Sequence, residues 1–110
     1  METVSFEDFK KLDLRVGKIL EAEAVTGSEK LVKLQVDLGA EIGKRQILAG
    51  IIKDHPPETL IGREIIVVAN LEPRKLMGFE SQGMLLAASD GEAVVLLEPE
   101  KETPPGATIR

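Results

Sequence analysis

The chain has no cysteine, tryptophan or tyrosine, and its 110 residues include a single histidine. Each absence closes a class of chemistry. Without cysteine there is no disulfide framework, no thiolate metal site and no cysteine nucleophile. Such a composition suits the reducing interior of a cell, so a cytoplasmic protein is expected. His55 stands between Asp54 and Pro56-Pro57, with no partner at metal-ligating spacing and no nucleophile to serve as a base. The carboxylates are spread along the chain, with no pair placed for opposing pKa shifts. Neither catalysis nor a cofactor or metal site is expected.

Aromatic residues are scarce too: Phe6, Phe9 and Phe79 are the whole set. A nucleic-acid surface built on stacked rings is therefore disfavoured. No apolar run approaches the roughly 18 residues of a membrane span, and the acidic start Met1-Glu2-Thr3 does not read as a secretory signal. Positive charge is also in deficit, with 14 Lys and Arg against 19 Asp and Glu and a net charge of −5. Binding of nucleic acid by bulk charge is thereby disfavoured. A local basic patch is not, because screening over about 8 Å lets one surface act independently of charges on the far side.

What is present is a chain of 43% hydrophobic and 30% charged residues, as expected of a soluble globular fold. Its length suits one domain over residues 1–110, and no linker or repeat divides it. The most informative stretch runs from Val67 to Leu86. An apolar run ends at Asn70, a loop carries Pro73, Arg74-Lys75 and Gly78, and Ser81-Gln82-Gly83 leads into a second apolar run at Met84. This loop is longer than a hairpin needs, and long loops on a rigid scaffold tend to carry function. It presents cations, amides and small residues, which suit phosphates and base edges.

The remaining chain reads as short strands. Ser5 caps a short N-terminal helix whose Phe6 and Phe9 share one side and are expected to plug an end of the core. Leu12, Leu14 and Val16 begin a long alternating strand, with a bulge expected near Gly17-Lys18. Val32, Leu34, Val36 and Leu38 alternate with polar residues, the clearest half-buried strand. Further strands are expected over residues 46–52, 65–69, 84–88 and 93–97, and Pro56-Pro57 opens a short helix mid-chain. The proline-rich tail from Glu98 to Arg110 reads as an extended segment laid on the surface. These signals predict an all-β fold. A helix between the third and fourth strands of a small barrel is the mark of the OB-fold, a five-stranded Greek-key barrel, and the pattern by itself leaves other small barrels open; the short N-terminal helix and the C-terminal extension would be additions to it.

Asp13-Leu14-Arg15-Val16-Gly17-Lys18-Ile19, Lys30-Leu31, Arg45-Gln46-Ile47, Asn70-Leu71-Glu72-Pro73-Arg74-Lys75, Glu80-Ser81-Gln82-Gly83-Met84 and Pro104-Pro105-Gly106 follow one another through the chain. Together they resemble the tRNA-binding domain of many methionyl-tRNA synthetases, which also occurs as a separate small protein and is related to the endothelial monocyte-activating polypeptide domain. The resemblance implies an OB-fold, commonly a homodimer, that binds tRNA by shape without catalysis. One departure is visible: where family members often carry His-Pro before the Lys-Leu pair, this chain has Val25-Thr26-Gly27-Ser28-Glu29. Lys30 keeps its place.

On this reading the RNA-binding residues are Lys30, Asn70, Arg74, Lys75, Ser81, Gln82 and Met84, with Arg15, Lys18 and Lys33 as further candidates. Arg74 and Lys75 suit phosphate contact, the first as a fork and the second as a point charge. Ser81 and Gln82 either meet a nucleotide edge or ribose hydroxyl or bond neighbouring backbone to shape the loop. Met84 is either core or a soft seat for a base. Lys44, Arg45 and Lys53 fit a solvated surface. The expected partners are tRNA, a second copy through Ala107 and Ile109 of the tail, and methionyl-tRNA synthetase, with no membrane. An alternative within the same fold is a chaperone-like or dimerisation module that binds protein.

Overall fold

Alternation of apolar and polar side chains builds the sheet. In a computed structural model describing residues 1–110, β1 (Leu14–Ala24), β2 (Val32–Asp37) and β3 (Lys44–Ala49) form an antiparallel meander. β2 shows the period most plainly, with Val32, Leu34 and Val36 fully buried and Lys33, Gln35 and Asp37 half-buried. The chain then crosses to β4 (Glu64–Val68), which pairs antiparallel with the other edge of β1.

After β4 comes a hairpin of β5 (Arg74–Leu76) and β6 (Phe79–Ser81), and β7 (Met84–Leu85) then returns to pair with β4. The strand order β3-β2-β1-β4-β7 is the Greek key of an OB-type barrel. β8 (Ala87–Asp90) and β9 (Ala93–Leu96) form a separate ribbon. The run expected over residues 84–88 is thus divided at Leu86, where the chain leaves the barrel.

The interior is aliphatic. Ile19, Leu34, Leu38, Ile47, Leu60, Ile65 and Val67 are sealed from solvent. Truncating any of these to alanine removes buried methyl groups at a cost of about 2–5 kcal/mol. Leu60 follows the expected mid-chain helix, which is a single 3-10 turn over Pro57–Thr59, between β3 and β4.

Three expectations change. The bulge in β1 falls between Ile19 and Glu21, not at Gly17. Gly17 is required for another reason: a Cβ there would lie 2.6 Å from Val36 Cγ1. The N-terminal helix α1 (Phe6–Phe9) is capped as expected, Asp8 N–H donating to Ser5 Oγ at 3.0 Å, yet Phe6 and Phe9 are 70% and 42% exposed. A four-residue helix has too little surface to fold its rings back onto the barrel, so they do not plug the core. The tail does more than lie on the surface. β10 (Thr108–Ile109) pairs with Leu14 and Arg15, and Val16 N–H donates to Ala107 O at 2.9 Å, so the tail occupies the free edge of β1.

Candidate nucleic-acid interface

The long loop expected after Asn70 is largely a docked hairpin. Its turn is Met77-Gly78, with φ of 52° and 85° between partners Leu76 and Phe79. Two positive φ values in a two-residue connection are the mark of a type I′ turn. Gly78 adopts this freely, whereas Met77 takes a conformation that is costly for a side chain. Arg74 and Lys75 lie on the outgoing strand, both exposed.

The hairpin root closes the barrel. β3 and the returning chain diverge, and one backbone bond crosses between them, Gln82 N–H donating to Gln46 O at 2.7 Å. Side-chain oxygens complete the ladder. Leu48 N–H donates to Ser81 Oγ at 3.0 Å, and the hydroxyl donates onward to Gly83 O at 3.0 Å. Gln46 N–H donates to Gln82 Oε1 at 3.0 Å. Ser81 is 3% exposed. Of the two readings open in the sequence, the geometry therefore places Ser81 and Gln82 in the frame of the loop.

Asn70 is committed in the same way. Its Oδ1 accepts from Asp13 N–H at 2.8 Å and its Nδ2 donates to Lys11 O at 2.6 Å, tying the N-terminal segment to the end of β4. Met84 is 47% exposed beside this root, available as an apolar seat and not part of the core. At the other end Phe79 lies beneath Lys33, whose Nζ stands 4.2 Å from the ring centroid. Met77 reaches to the turn at Gly27, in the loop that carries Lys30.

Two of the further candidates are engaged within the fold, and the third lies among carboxylates. Arg15 donates to Asp13 Oδ1 at 2.6 Å, Glu41 Oε1 at 3.1 Å and Gly106 O at 3.1 Å. Its side chain is 13% exposed and clamps β1 to the tail. Lys33 is paired with Glu23 at 2.7 Å as well as stacked on Phe79. Lys18 sits between its strand partners Asp37 and Glu64, on clefts walled by Glu98, Glu100 and Glu102. These surroundings repel phosphate, so Arg15, Lys18 and Lys33 do not combine into one phosphate-binding face.

The ion pairs of the structure involve Lys11, Arg15 and Lys33 alone. Arg74, Lys75 and Lys30 are therefore exposed cations with no carboxylate in contact. Lys30 shares a cleft of ≈ 230 Å³ with Lys53, Asp54 and Glu92. Every buried side-chain polar atom has a partner, and no cluster of residues has the make-up to hold a metal ion.

Sequence reasoning missed two residues of the hairpin's support. Gln46 Nε2 donates to Glu80 O at 2.9 Å, and Arg45 Nη1 donates to Ala69 O and Gln82 O at 3.3 and 3.4 Å. The signals were polar residues at half-buried strand positions and the place of Arg45-Gln46-Ile47 among the segments of the resemblance, neither of which names a partner.

Comparison with known proteins agrees with this architecture. The family described as “Putative tRNA binding domain” matches residues 14–108. A methionine–tRNA ligase from Methanothrix thermoacetophila is 57% identical over 107 residues, 97% of this chain and 16% of that protein. The chain spans only 15–16% of the length of the curated relatives it matches. Among solved structures, a MetRS related protein from Pyrococcus horikoshii is 40% identical with a TM-score of 0.92, covering 100% of both chains. The chaperone CsaA from Bacillus anthracis is 38% identical with a TM-score of 0.90, covering 99% of this chain and 100% of the other.

Proposed function

We propose, from the premise that this chain belongs to the tRNA-binding domain family, that it holds tRNA against the hairpin of residues 74–81 and carries out no chemical step. The observation that supports this most is the set of unpaired cations at Arg74, Lys75 and Lys30 on a body of net charge −5. Arg74 and Lys75 take phosphates, Lys30 takes another from the neighbouring loop, and Met84 seats an exposed base. Asn70, Ser81 and Gln82 serve the same surface by holding its frame. Recognition is by RNA shape with little sequence preference, because the groups that could read base edges are engaged within the protein.

The module acts by concentrating tRNA near methionyl-tRNA synthetase, as a separate subunit or as part of a longer chain. Tethering raises the effective concentration of substrate without adding a catalytic group. The cytoplasm is its place of action. No helix is long and apolar enough to cross a membrane. An electrophoretic shift with unfractionated tRNA, against single-stranded DNA of equal length, tests the reading. A retarded tRNA band at low salt with weaker retention of DNA supports it; no shift of tRNA overturns it.

A homodimer belongs to the same proposal. The tail is satisfied within the sheet, so the case rests on Val4, Phe6, Phe9 and Leu12, which are 72%, 70%, 42% and 45% exposed. A second copy placed on this apolar strip would bury it and join two hairpins into one larger RNA surface. Light scattering should give about twice the 11.9 kDa chain mass, and a value near 11.9 kDa contradicts the dimer. The same exposed strip favours the second reading, a protein-binding chaperone-like module. Retention of unfolded polypeptide without retention of tRNA would favour that alternative.

A further inference from the structure

We infer that Gln46, on barrel strand β3, is a positioning residue for RNA: its side-chain amide fixes the hairpin that carries Arg74 and Lys75. The inference rests on the RNA reading above. A two-stranded hairpin is marginal by itself in water, so this one takes its position from what it docks on. β6 makes no regular ladder with β3, and the one backbone bond between the two segments lies at Gln82, beyond the end of β6. Along β6 itself, strand β3 makes two links: Leu48 N–H donates to Ser81 Oγ at 3.0 Å at the strand's end, and Gln46 Nε2 donates to Glu80 O at 2.9 Å in its middle, the link nearer Lys75.

Two features make that link directional. Gln35 Nε2 donates to Gln46 Oε1 at 3.1 Å, which fixes the amide so that its NH2 faces the hairpin. Glu80 is also the strand partner of Lys75, so the carbonyl held by Gln46 lies directly across the hairpin from a binding cation. The backbone of Gln46 is engaged with Gln82 at the same time. With both ends of its side chain in use, Gln46 acts on RNA only through the hairpin. Loosening the hairpin adds an ordering cost on binding, and lost preorganisation appears directly as lost affinity.

Gln46→Met tests this, because it keeps length and backbone bonds while removing the amide. tRNA affinity should fall about fivefold, the scale of one net hydrogen bond. Amides of residues 75–82 should exchange faster with solvent while those of β1 and β2 are unchanged. Gln46→Glu is the second variant: it still accepts from Gln35 but cannot donate to Glu80 O, and it should lose affinity to a similar degree. In a cycle with Arg74→Ala/Lys75→Ala, Gln46→Met should cost much less affinity once the cations are gone. Parent-like binding by both Gln46 variants, or losses that multiply independently, overturns the inference alone. A parent chain that does not bind tRNA overturns the functional reading and this inference together.

Discussion

Two pairs among the cations of this acidic molecule differ in what surrounds them. Arg15 and Lys33 lie on barrel strands with side chains 13% and 19% exposed, each in contact with a carboxylate. Arg74 and Lys75 lie on a peripheral hairpin, exposed and unpaired. The first set is consumed by the fold. The second leaves positive charge for a partner, so a chain of net charge −5 can still offer a phosphate-binding surface.

Arg15 shows how far the first set is committed. Its pKa is raised above the ordinary arginine value, chiefly by the hydrogen bond to Asp13; desolvation opposes the rise and the bond to Glu41 adds to it. A raised folded-state pKa means that this stabilisation is fully present below the unfolded value and is lost only as pH rises through the folded one. Arg15 should thus stay charged through neutral and moderately alkaline solution, and its clamp on the tail should give no pH-dependent melting there.

The contrast can be broken by substitution. Arg74→Ala/Lys75→Ala removes two charge-assisted contacts worth about 1.5–3 kcal/mol each when made in the complex. tRNA affinity should fall at least about tenfold, and the melting temperature should move little because both side chains are exposed. Ser81→Ala should act first on stability. Its buried hydroxyl bridges Leu48 N–H and Gly83 O, so removal should cost about 1–3 kcal/mol of stability in a denaturant titration. Lys33→Met dissolves the contacts with Glu23 and Phe79 and should cost about 1 kcal/mol, with a smaller affinity loss than the hairpin pair. Lys18→Ala, among carboxylates, should leave tRNA binding unchanged. A clear affinity loss at Lys18 would move the binding surface to β1 and erase the distinction.

Much of the barrel was legible because its signals are local. Val32 to Leu38 alternate without a break, and Pro56-Pro57 marks the turn between β3 and β4. The hairpin was not legible as one. Its strands are three residues each, too short to show a period, and Met77-Gly78 lacks the Asn-Gly or Asp-Gly signal of a type I′ turn.

The site was legible as a segment and not as a division of labour. Arg74 and Lys75 are exposed as expected, whereas Ser81 is consumed by Leu48, 33 residues away, and Arg15 by Gly106, 91 residues away. No spacing rule reaches across such separations. Phe6 and Phe9 were misplaced for a related reason: helical phase puts two rings on one side but does not say whether the protein or a partner covers them.

The central claim is that tRNA is held by Arg74 and Lys75 of the hairpin together with Lys30 of the neighbouring loop. Its most direct test is the salt dependence of tRNA affinity for the parent and for Arg74→Ala/Lys75→Ala. With on the order of three to four phosphates neutralised, log affinity should fall against log salt with a slope of about −3 to −4 for the parent. The slope should be shallower by about two for the variant, one for each lost phosphate contact. A parent whose binding ignores salt, or a variant that keeps the parent's slope and affinity, would contradict the account.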